Sequence, residues 1–466
     1  MKSISRRALV LYLIILLFLA GSGVLFFNLI THSEEWAMNK ANKHLYTSGS
    51  LTTAGDILDI NGKVLVTTKD GSRSYNEDKS IRLGTLHTVG DSSGYIASGV
   101  QTAFKDEITG YSLKDGVYNL QRYGKGNDIT LTLNAEICKV AYNALGNYKG
   151  TVGVMNYKTG ELICVVSTPT FDVYNKPKDI HTDTSGKYEG IYLNRFFSGL
   201  YTPGSTFKII TAACAIENIP DIYEQEFVCK GKIQIGEGYV VCSGTHGKIN
   251  FEEALNNSCN CAFAKIAELL GNEALTKTAE RIGFNNSSLV ISNKINCSKS
   301  KLDLSGAKLL DLGWAGIGQY TTLINPCQML TAISSIANNG IAVSPYLVSQ
   351  ITSPSGKVMQ SGEAQQLGQY FAEADATKLN ILLRSNVKNR YGDNLFPGME
   401  MCGKTGTAEI SDNKDIKPNG LFVGYSQRED MPFAIIVIVE NTNSSMSSAV
   451  PIASKVMKAV KSEYTK

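Results

Sequence analysis

Histidine and net charge are both scarce in this sequence, and each shortage excludes a class of function. Only five of the 466 residues are histidines, and they fall in polar or loop-like stretches, so a Ser-His-Asp hydrolase is not expected. The formal net charge is only +3, and no basic stretch alternates with aromatic residues as a nucleic-acid groove would. With 43% hydrophobic and 19% charged residues, the chain has the composition of a folded protein.

Long apolar runs are also rare, and a single one is present. Residues 8–30 carry no charged side chain, and at about 1.5 Å per residue they would cross a hydrocarbon layer of ~30 Å. Lys2, Arg6 and Arg7 precede this run, so the positive-inside rule predicts residues 1–7 in the cytoplasm and the rest of the chain outside. The alternative is a cleaved signal peptide ending near AGSG, but the apolar residues beyond it favour an uncleaved, single-pass anchor in the cell membrane.

Ten cysteines are present, and most stand alone. Cys229 and Cys242 bracket a predicted small hairpin and would form either a disulfide or a reduced pair. His246 lies close by, but two cysteines and one histidine make an incomplete zinc site. The sequence therefore predicts no metal and no cofactor. Buried free thiols are expected where single cysteines stand in apolar stretches, namely Cys138, Cys164, Cys214, Cys261, Cys327 and Cys402.

Two regions follow the apolar run. Residues 31–127 are predicted to form a polar stem and a small, mostly extended pedestal domain. Residues 128–466 combine a largely helical middle with predicted strands at both ends, in 149–172 and in 420–441. This order predicts an α+β domain whose central antiparallel sheet is closed by early and late strands and flanked by helices.

The first candidate chemical pair is Ser205 and Lys208, in the stretch GLYTPGSTFKII. Taken alone, Ser205 would be a helix N-cap and Lys208 a surface residue. However, Phe207 and Ile209 flank the lysine, and desolvation among such neighbours would lower its pKa and make it a better proton acceptor for a hydroxyl. The pair therefore also fits a nucleophile and its base.

Two further fragments contain polar groups of the same kind. Ser258 and Asn260 stand two residues apart where a helix begins, and capping would explain either one alone. Lys404 follows on a glycine-interrupted strand, where the small Gly406 would let a substrate backbone approach the strand edge. The strand would offer a cation and hydroxyls to a carboxylate, from Lys404, Thr405 and Thr407.

The three fragments occur in the order S-x-x-K, S-x-N and K-T-G, which resembles the pattern of penicillin-binding proteins and serine β-lactamases. Stretches 160–172, 193–208 and 316–340 also resemble the transpeptidase domain of this family. Residues 54–65 resemble the start of the class B pedestal, although Ala54 and Ile60 replace the arginines usual there. Fewer than a hundred residues separate the apolar run from residue 128, too few for a glycosyltransferase domain, so the resemblance is to a monofunctional class B protein.

The resemblance implies a role for each candidate residue. Ser205 would be the acylated nucleophile, Lys208 its general base, Ser258 a proton relay and Asn260 an orienting group for the donor amide. Backbone N–H groups of Ser205 and Thr407 would form the oxyanion hole. The terminal carboxylate of the donor peptide would be bound by residues of the K-T-G strand, namely Lys404, Thr405, Gly406 and Thr407.

The implied activity is a peptidoglycan D,D-transpeptidase acting on stem peptides that end in D-Ala-D-Ala and acylated by β-lactam antibiotics. Three alternatives remain: a D,D-carboxypeptidase, a β-lactam-hydrolysing enzyme of the same fold, and a scaffold or activator of a membrane glycan polymerase. A β-lactamase of class A would need a glutamate that follows S-x-N. Glu252 stands in the matching letters EEALN but precedes Ser258, so we expect it on a helix surface.

Overall fold

The computed structural model describes residues 2–37, 39, 46–47, 50–51, 53–110, 125–286, 289–411, 413 and 415–465. It begins with one helix, α1 (Lys2–Ala37), whose segment Ser5–Ser33 is long and apolar enough to cross a membrane. Nothing in the described part of the chain buries the apolar window of this segment. The helix is longer at both ends than the predicted span 8–30. Residues 31–37 therefore continue the helix instead of starting a stem, and most of the predicted stem lies outside the described residues.

Most of the other helices of the described residues are short, and seven of them end at a glycine or asparagine C-cap. In chain order they are α2 (Lys79–Val89), α3 (Val100–Ala103), α4 (Lys105–Thr109), α5 (Ala135–Leu145), α6 (Arg195–Ser198), α7 (Lys208–Asn218), α8 (Phe251–Asn256), α9 (Asn260–Arg281), α10 (Leu309–Ala315), α11 (Pro326–Ala337), α12 (Glu373–Asn386) and α13 (Ala449–Tyr464).

The strands of the described residues fall into small ribbons and two larger sheets. They are β1 (Tyr46–Thr47), β2 (Ser50–Leu51), β3 (Ile57–Leu58), β4 (Val64–Lys69), β5 (Ser72–Tyr75), β6 (Asp128–Leu131), β7 (Gly150–Asn156), β8 (Leu162–Thr168), β9 (Glu226–Cys229), β10 (Lys232–Ile235), β11 (Gly238–Val241), β12 (Gly247–Asn250), β13 (Val290–Ile291), β14 (Ile295–Asn296), β15 (Ile341–Val343), β16 (Val348–Thr352), β17 (Val358–Ser361), β18 (Gln366–Gln369), β19 (Met401–Ala408), β20 (Asn419–Ser426) and β21 (Phe433–Val439).

The central sheet has five antiparallel strands in the order β19-β20-β21-β7-β8. Early strands therefore lie beside late ones, which confirms the predicted α+β sheet. Every residue of β20 and β21 is buried, since helices cover both faces of the sheet. Helix α5 packs against β8 and helix α13 packs against β21. Helix α11 packs against β20, β21 and β7. The consequence for the site is that β19 is an edge strand, with one backbone edge unpaired by this sheet.

A second sheet joins the pedestal to the larger domain. Its order is β17-β16-β6-β3-β4-β5, so pedestal strands β3–β5 continue a sheet built from residues beyond the predicted boundary at 128. Arg82 on α2 also forms a two-point ion pair with Asp172, with N···O distances of 2.8 and 2.9 Å. The described residues of the pedestal include three helices, α2 to α4, so this part is more helical than the mostly extended domain that the sequence predicts. Weak apolar periodicity in this region hid those helices.

Candidate active site

Ser205 lies in a tight 3-10 turn, Gly204–Thr206, directly before α7. Gly204 has φ +51, and a Cβ there would come within 2.8 Å of the Thr407 carbonyl oxygen, so glycine is required. The N-cap of α7 is Phe207, so the simple capping role considered for Ser205 is wrong. Ser205 is half-buried, and its hydroxyl makes no side-chain hydrogen bond within the part of the chain that the structure describes. The turn therefore presents a free hydroxyl beside β19.

Lys208 is the first residue of α7 and is fully buried, so its interpretation as a surface residue is wrong. Its Nζ donates to the Ser258 carbonyl oxygen at 2.6 Å and to Asn260 Oδ1 at 2.7 Å, and it lies 3.3 Å from Ser258 Oγ. Burial, and next the Lys404 ammonium, hold the pKa of Lys208 well below its ordinary value of 10.5. A neutral Lys208 amine would donate its two hydrogens to the Ser258 carbonyl oxygen and to Asn260 Oδ1, and it would keep a lone pair to accept a proton.

Lys404 approaches the same serine from β19. It is also buried, and its Nζ donates to Ser258 Oγ at 3.0 Å and to the Thr405 carbonyl oxygen at 3.3 Å. Burial, followed by the Arg390 guanidinium, lowers the pKa of Lys404 from 10.5 to about 7. The Ser258 hydroxyl therefore lies between two lysine amines whose pKa values are both lowered, so a proton can pass along this chain of groups.

The S-x-N segment has a strained and well-fixed backbone. Ser258 has φ +52, in the left-handed region that non-glycine residues seldom occupy. Cys259 is the N-cap of α9 and accepts a hydrogen bond from the Ala262 N–H, so neither Ser258 nor Asn260 is the cap. Asn260 Nδ2 donates to the Val241 carbonyl oxygen at 2.9 Å, which leaves Oδ1 for Lys208. The structure thus brings Lys208, Ser258, Asn260 and Lys404 into one hydrogen-bonded cluster.

The K-T-G strand runs beside the Ser205 turn. Thr405 is half-buried and Thr407 is exposed, so both hydroxyls are accessible from the edge of β19. A Cβ at Gly406 would come within 2.6 Å of the Pro203 carbonyl oxygen and 3.1 Å of the Thr206 nitrogen. The sequence predicts that this glycine admits a substrate backbone. The contacts give it a second reason, which is close packing of the strand on the Ser205 turn.

Tyr391 and Asn386 belong to this site but carry no motif in the sequence. Tyr391 ends a π-helical turn, Val387–Tyr391, and its hydroxyl accepts from the Thr405 N–H at 3.0 Å and from Asn386 Nδ2 at 3.0 Å. The same hydroxyl lies 2.9 Å from Thr405 Oγ1. Asn386 Nδ2 also donates to the Gly403 carbonyl oxygen at 2.6 Å. These contacts fix the strand that carries Lys404 and Thr405, and only the folded chain brings them together.

The remaining expectations concern Glu252 and the cysteines. Glu252 lies on α8, where its carboxylate accepts a hydrogen bond from Ser385 on α12 and does not contact the cluster. All ten cysteines are free and buried, which confirms the buried single thiols and excludes a disulfide between Cys229 and Cys242 in this structure. Both are instead grouped with His246 and Cys259.

Comparisons with known proteins agree with this geometry. Residues 150–458, more than half of the chain, match the family model described as the penicillin binding protein transpeptidase domain. Stage V sporulation protein D of Bacillus subtilis is 28% identical over 72% of this chain, which spans only 53% of that protein. Peptidoglycan D,D-transpeptidase PbpA of Mycolicibacterium smegmatis is 24% identical over 77% of each chain.

A solved structure gives the same fold. Penicillin-binding protein A from M. tuberculosis, in its ceftriaxone acyl-enzyme complex, superposes with a TM-score of 0.77 at 22% identity, over 88% of this chain and 98% of that one. The fold and the family match rest on similarity to other proteins. The cluster of Lys208, Ser258 and Lys404 agrees with them and is an observation on this chain's own residues. The chain belongs to the penicillin-binding protein transpeptidase domain family.

Proposed function

We propose that this protein is a membrane-anchored peptidoglycan D,D-transpeptidase that acts through an acyl-serine intermediate on Ser205. The observation that carries the proposal is the buried pair Lys208 and Lys404, joined through the Ser258 hydroxyl beside a free serine. A buried lysine with a lowered pKa is the kind of base that can activate a hydroxyl near neutral pH. Relatives named as peptidoglycan D,D-transpeptidases, and a neighbour solved as a β-lactam acyl-enzyme, support the same reaction.

In the acylation step, Ser205 Oγ attacks the carbonyl carbon of the penultimate D-Ala while its proton passes to neutral Lys208. The developing oxyanion would be held by the backbone N–H groups of Ser205 and Thr407. Collapse breaks the C–N bond to the terminal D-Ala. The proton returns from Lys208 through Ser258 to the leaving nitrogen, so that D-Ala departs with a neutral amino group. The neutral amine of a second stem peptide then attacks the ester carbonyl carbon. An amide bond forms as the ester C–O bond breaks, and one proton of the amine passes through Lys208 to Ser205 Oγ.

The donor's carboxylate would bind at the edge of β19. Thr405 and Thr407, half-buried and exposed respectively, follow Lys404 on this strand, and their hydroxyls and the Lys404 ammonium would form charge-assisted hydrogen bonds with a carboxylate. An approaching anion also favours the protonated form of Lys404. Substrate binding would thereby supply a proton close to the leaving group, while Lys208 stays neutral.

A β-lactam would acylate the same serine and remain attached. Hydrolysis would need a base beside the ester, and no hydrogen bond in the described residues joins Ser205, Lys208, Ser258 or Lys404 to a carboxylate. Glu252, the candidate that the sequence offered, is engaged with Ser385. This observation favours slow deacylation, and therefore a transpeptidase over a β-lactam-hydrolysing enzyme.

Intact-mass spectrometry of the full chain after incubation with penicillin G tests the nucleophile. We expect one adduct of intact penicillin mass on the wild type and none on Ser205→Ala. Ser185→Ala, at an exposed serine far from the turn, is the matched control and should keep the adduct. An unmodified wild type, or an adduct that survives Ser205→Ala, would contradict the proposal.

A second assay separates the transpeptidase from its alternatives. A peptide ending in D-Ala-D-Ala is supplied with and without an amine acceptor, and free D-Ala and the cross-linked product are measured. Product that contains the acceptor supports a transpeptidase, whereas D-Ala release without acceptor incorporation identifies a carboxypeptidase. If the protein mainly activates a membrane glycan polymerase, Ser205→Ala should retain its cellular role, and a transpeptidase should lose it.

A further inference from the structure

A cluster of three cysteines and one histidine lies behind the S-x-N segment. The Sγ atoms of Cys229, Cys242 and Cys259 and a ring nitrogen of His246 all lie within 4.8 Å of one another. Cys229 and Cys259 are fully buried, Cys242 is nearly so, and His246 is half-buried. Three of these ligands lie within the stretch 229–246. Cys259 completes the set because the fold returns α9 to the hairpins that carry the other three.

The distances fit a tetrahedral metal site. Cys242 Sγ lies 3.7 Å from His246 Nδ1 and 4.0 Å from Cys259 Sγ. Four ligands around zinc, with bonds of about 2.3 Å to sulfur and about 2.0 Å to nitrogen, stand about 3.5–3.8 Å apart at tetrahedral angles. A disulfide would instead need the two sulfur atoms about 2.05 Å apart. The cluster therefore matches the spacing of metal ligands better than that of a disulfide.

The surroundings favour thiolates. The backbone N–H of Asn260 donates to Cys242 Sγ at 3.3 Å, and that of Ala262 donates to Cys259 Sγ at 3.5 Å. Hydrogen-bond donors of this kind stabilise a thiolate. A divalent ion would deprotonate the ligand thiols on binding.

The scaffold has a structural need for such an ion. Among the described residues, Cys229 ends β9, which pairs with β12 alone, and Cys242 follows β11, which pairs with β10 alone. Two-stranded ribbons are marginal by themselves in water. Each ribbon buries one face only: Phe227, Ile235 and Val240 are buried, whereas Val228 and Val241 are each more than half exposed. A metal bound by all four residues would connect both ribbons to the start of α9.

We propose that Cys229, Cys242, His246 and Cys259 bind a structural Zn²⁺ ion that positions the S-x-N segment. Three thiolates and one imidazole form a closed tetrahedral set, for which zinc is the preferred divalent ion. Cys259 stands between Ser258 and Asn260, whose side chains contact Lys208 and Lys404. The ion would thus act through Cys259 as a positioning device, and this effect on acylation rests on the proposed function, whereas zinc binding itself does not.

Metal analysis of the purified full chain in detergent tests the site. After dialysis in metal-free buffer, we expect about one zinc ion per chain. The Cys229→Ser and Cys259→Ser variants should lose it, and Cys214→Ala, at a buried single cysteine outside the cluster, should keep it. A wild type that holds no zinc and takes up none on titration would overturn the proposal. So would a Cys242–Cys259 disulfide found by peptide mass mapping of protein isolated from the cell envelope.

A test on the wild type avoids dependence on variants that fail to fold. Removing the metal with a soft-ligand chelator should lower the melting temperature by about 10 °C, and added zinc should restore it. Cobalt(II) in place of zinc should give intense thiolate-to-metal absorption and the visible bands of a tetrahedral ion. Penicillin acylation should fall and recover with the metal. If the protein binds zinc but penicillin acylates neither the zinc-bound nor the zinc-free form, the proposed function is wrong and the zinc site stands. If acylation is the same with and without zinc, only the positioning role of the ion is wrong.

Discussion

Two buried lysines, neither of which forms a salt bridge in the described part of the chain, dominate this site at the scale of single residues. Lys208 and Lys404 are held by the oxygens of Ser258, Asn260 and Thr405 instead of by carboxylates. Carboxylate partners would stabilise the charged amines and raise their pKa values, which would remove their ability to accept a proton. Burial lowers the pKa values of both lysines, and the absence of such partners leaves that shift uncompensated, which makes them candidate bases.

This arrangement should make stability depend on pH through Lys404. Its pKa falls from 10.5 to about 7 on folding, so between those values the unfolded chain binds more protons than the folded one, and stability rises with pH. The loss of stability caused by burying the charged Lys404 is complete below about pH 7 and disappears above pH 10.5. We expect the wild type to gain about 2 kcal/mol relative to Lys404→Met between pH 7 and pH 9. Urea unfolding at both pH values measures this, and a constant difference would contradict the lowered pKa.

At the scale of elements, the site depends on how closely β19 packs on the Ser205 turn. We expect Gly406→Ala to displace this turn, because the new Cβ would lie within 2.6 Å of the Pro203 carbonyl oxygen. A shift of about 1 Å at a reacting group costs roughly 100-fold in rate. The rate of acylation by penicillin, followed by stopped flow, measures this loss. The control is Gly313→Ala on α10, whose Cβ would meet only side chains at 3.3 Å or more, and equal rates for the two variants would contradict the packing argument.

The π-helical turn is the second element that fixes β19. Tyr391→Phe removes the acceptor for the Thr405 N–H and for Asn386 Nδ2. Leaving buried donors unpaired costs about 1–3 kcal/mol, so we expect a lower free energy of unfolding. We also expect weaker binding of the donor, because Thr405 loses its support, with a smaller change in the chemical step. Thermal unfolding and saturation kinetics with a D-Ala-D-Ala peptide test both parts, and an unchanged half-saturation concentration would contradict the second.

At the scale of the whole molecule, the pedestal and the catalytic domain share structure, while the apolar helix does not. Strand β6 lies between β16 and β3, with Ile57 paired to Ile129, so the second sheet crosses the boundary that the sequence predicts at 128. The Arg82–Asp172 ion pair adds a largely buried link between the two regions. In contrast, nothing in the described residues buries the apolar window within Ser5–Ser33. The anchor is therefore expected to be separable, and the pedestal is not.

Two truncations test this difference. A chain that starts at residue 53 should be soluble without detergent and should react with penicillin at the full-length rate. A chain that starts at residue 128 lacks β3, one of the two strands that pair with β6, and it leaves Asp172 without Arg82. We expect it to melt at least 5 °C lower or to aggregate. Differential scanning fluorimetry and size-exclusion chromatography distinguish the outcomes, and equal melting temperatures would show that the pedestal is independent.

The sequence predicted those features of the site that short patterns carry. The order of S-x-x-K, S-x-N and K-T-G pointed to Ser205, Lys208, Ser258, Asn260 and Lys404 as candidate site residues, and short-range patterns predicted the strands that close the central sheet. Periodicity failed in the pedestal, where α2 to α4 carry weak apolar patterns, and a local capping rule misassigned Ser205. Both failures arise because tertiary packing, not local propensity, decides these short elements.

The amino-acid sequence by itself thus determined the family, the apolar span and the chemical groups of the site, because those follow from residue types and short spacings. Only the tertiary structure decided which groups meet. Tyr391 reaches Thr405, Cys259 joins Cys229, Cys242 and His246, and Gly406 packs on the Ser205 turn through contacts between segments distant in sequence. The lowered pKa values belong to this second class as well, since the depth of burial that shifts a lysine is a property of the folded chain.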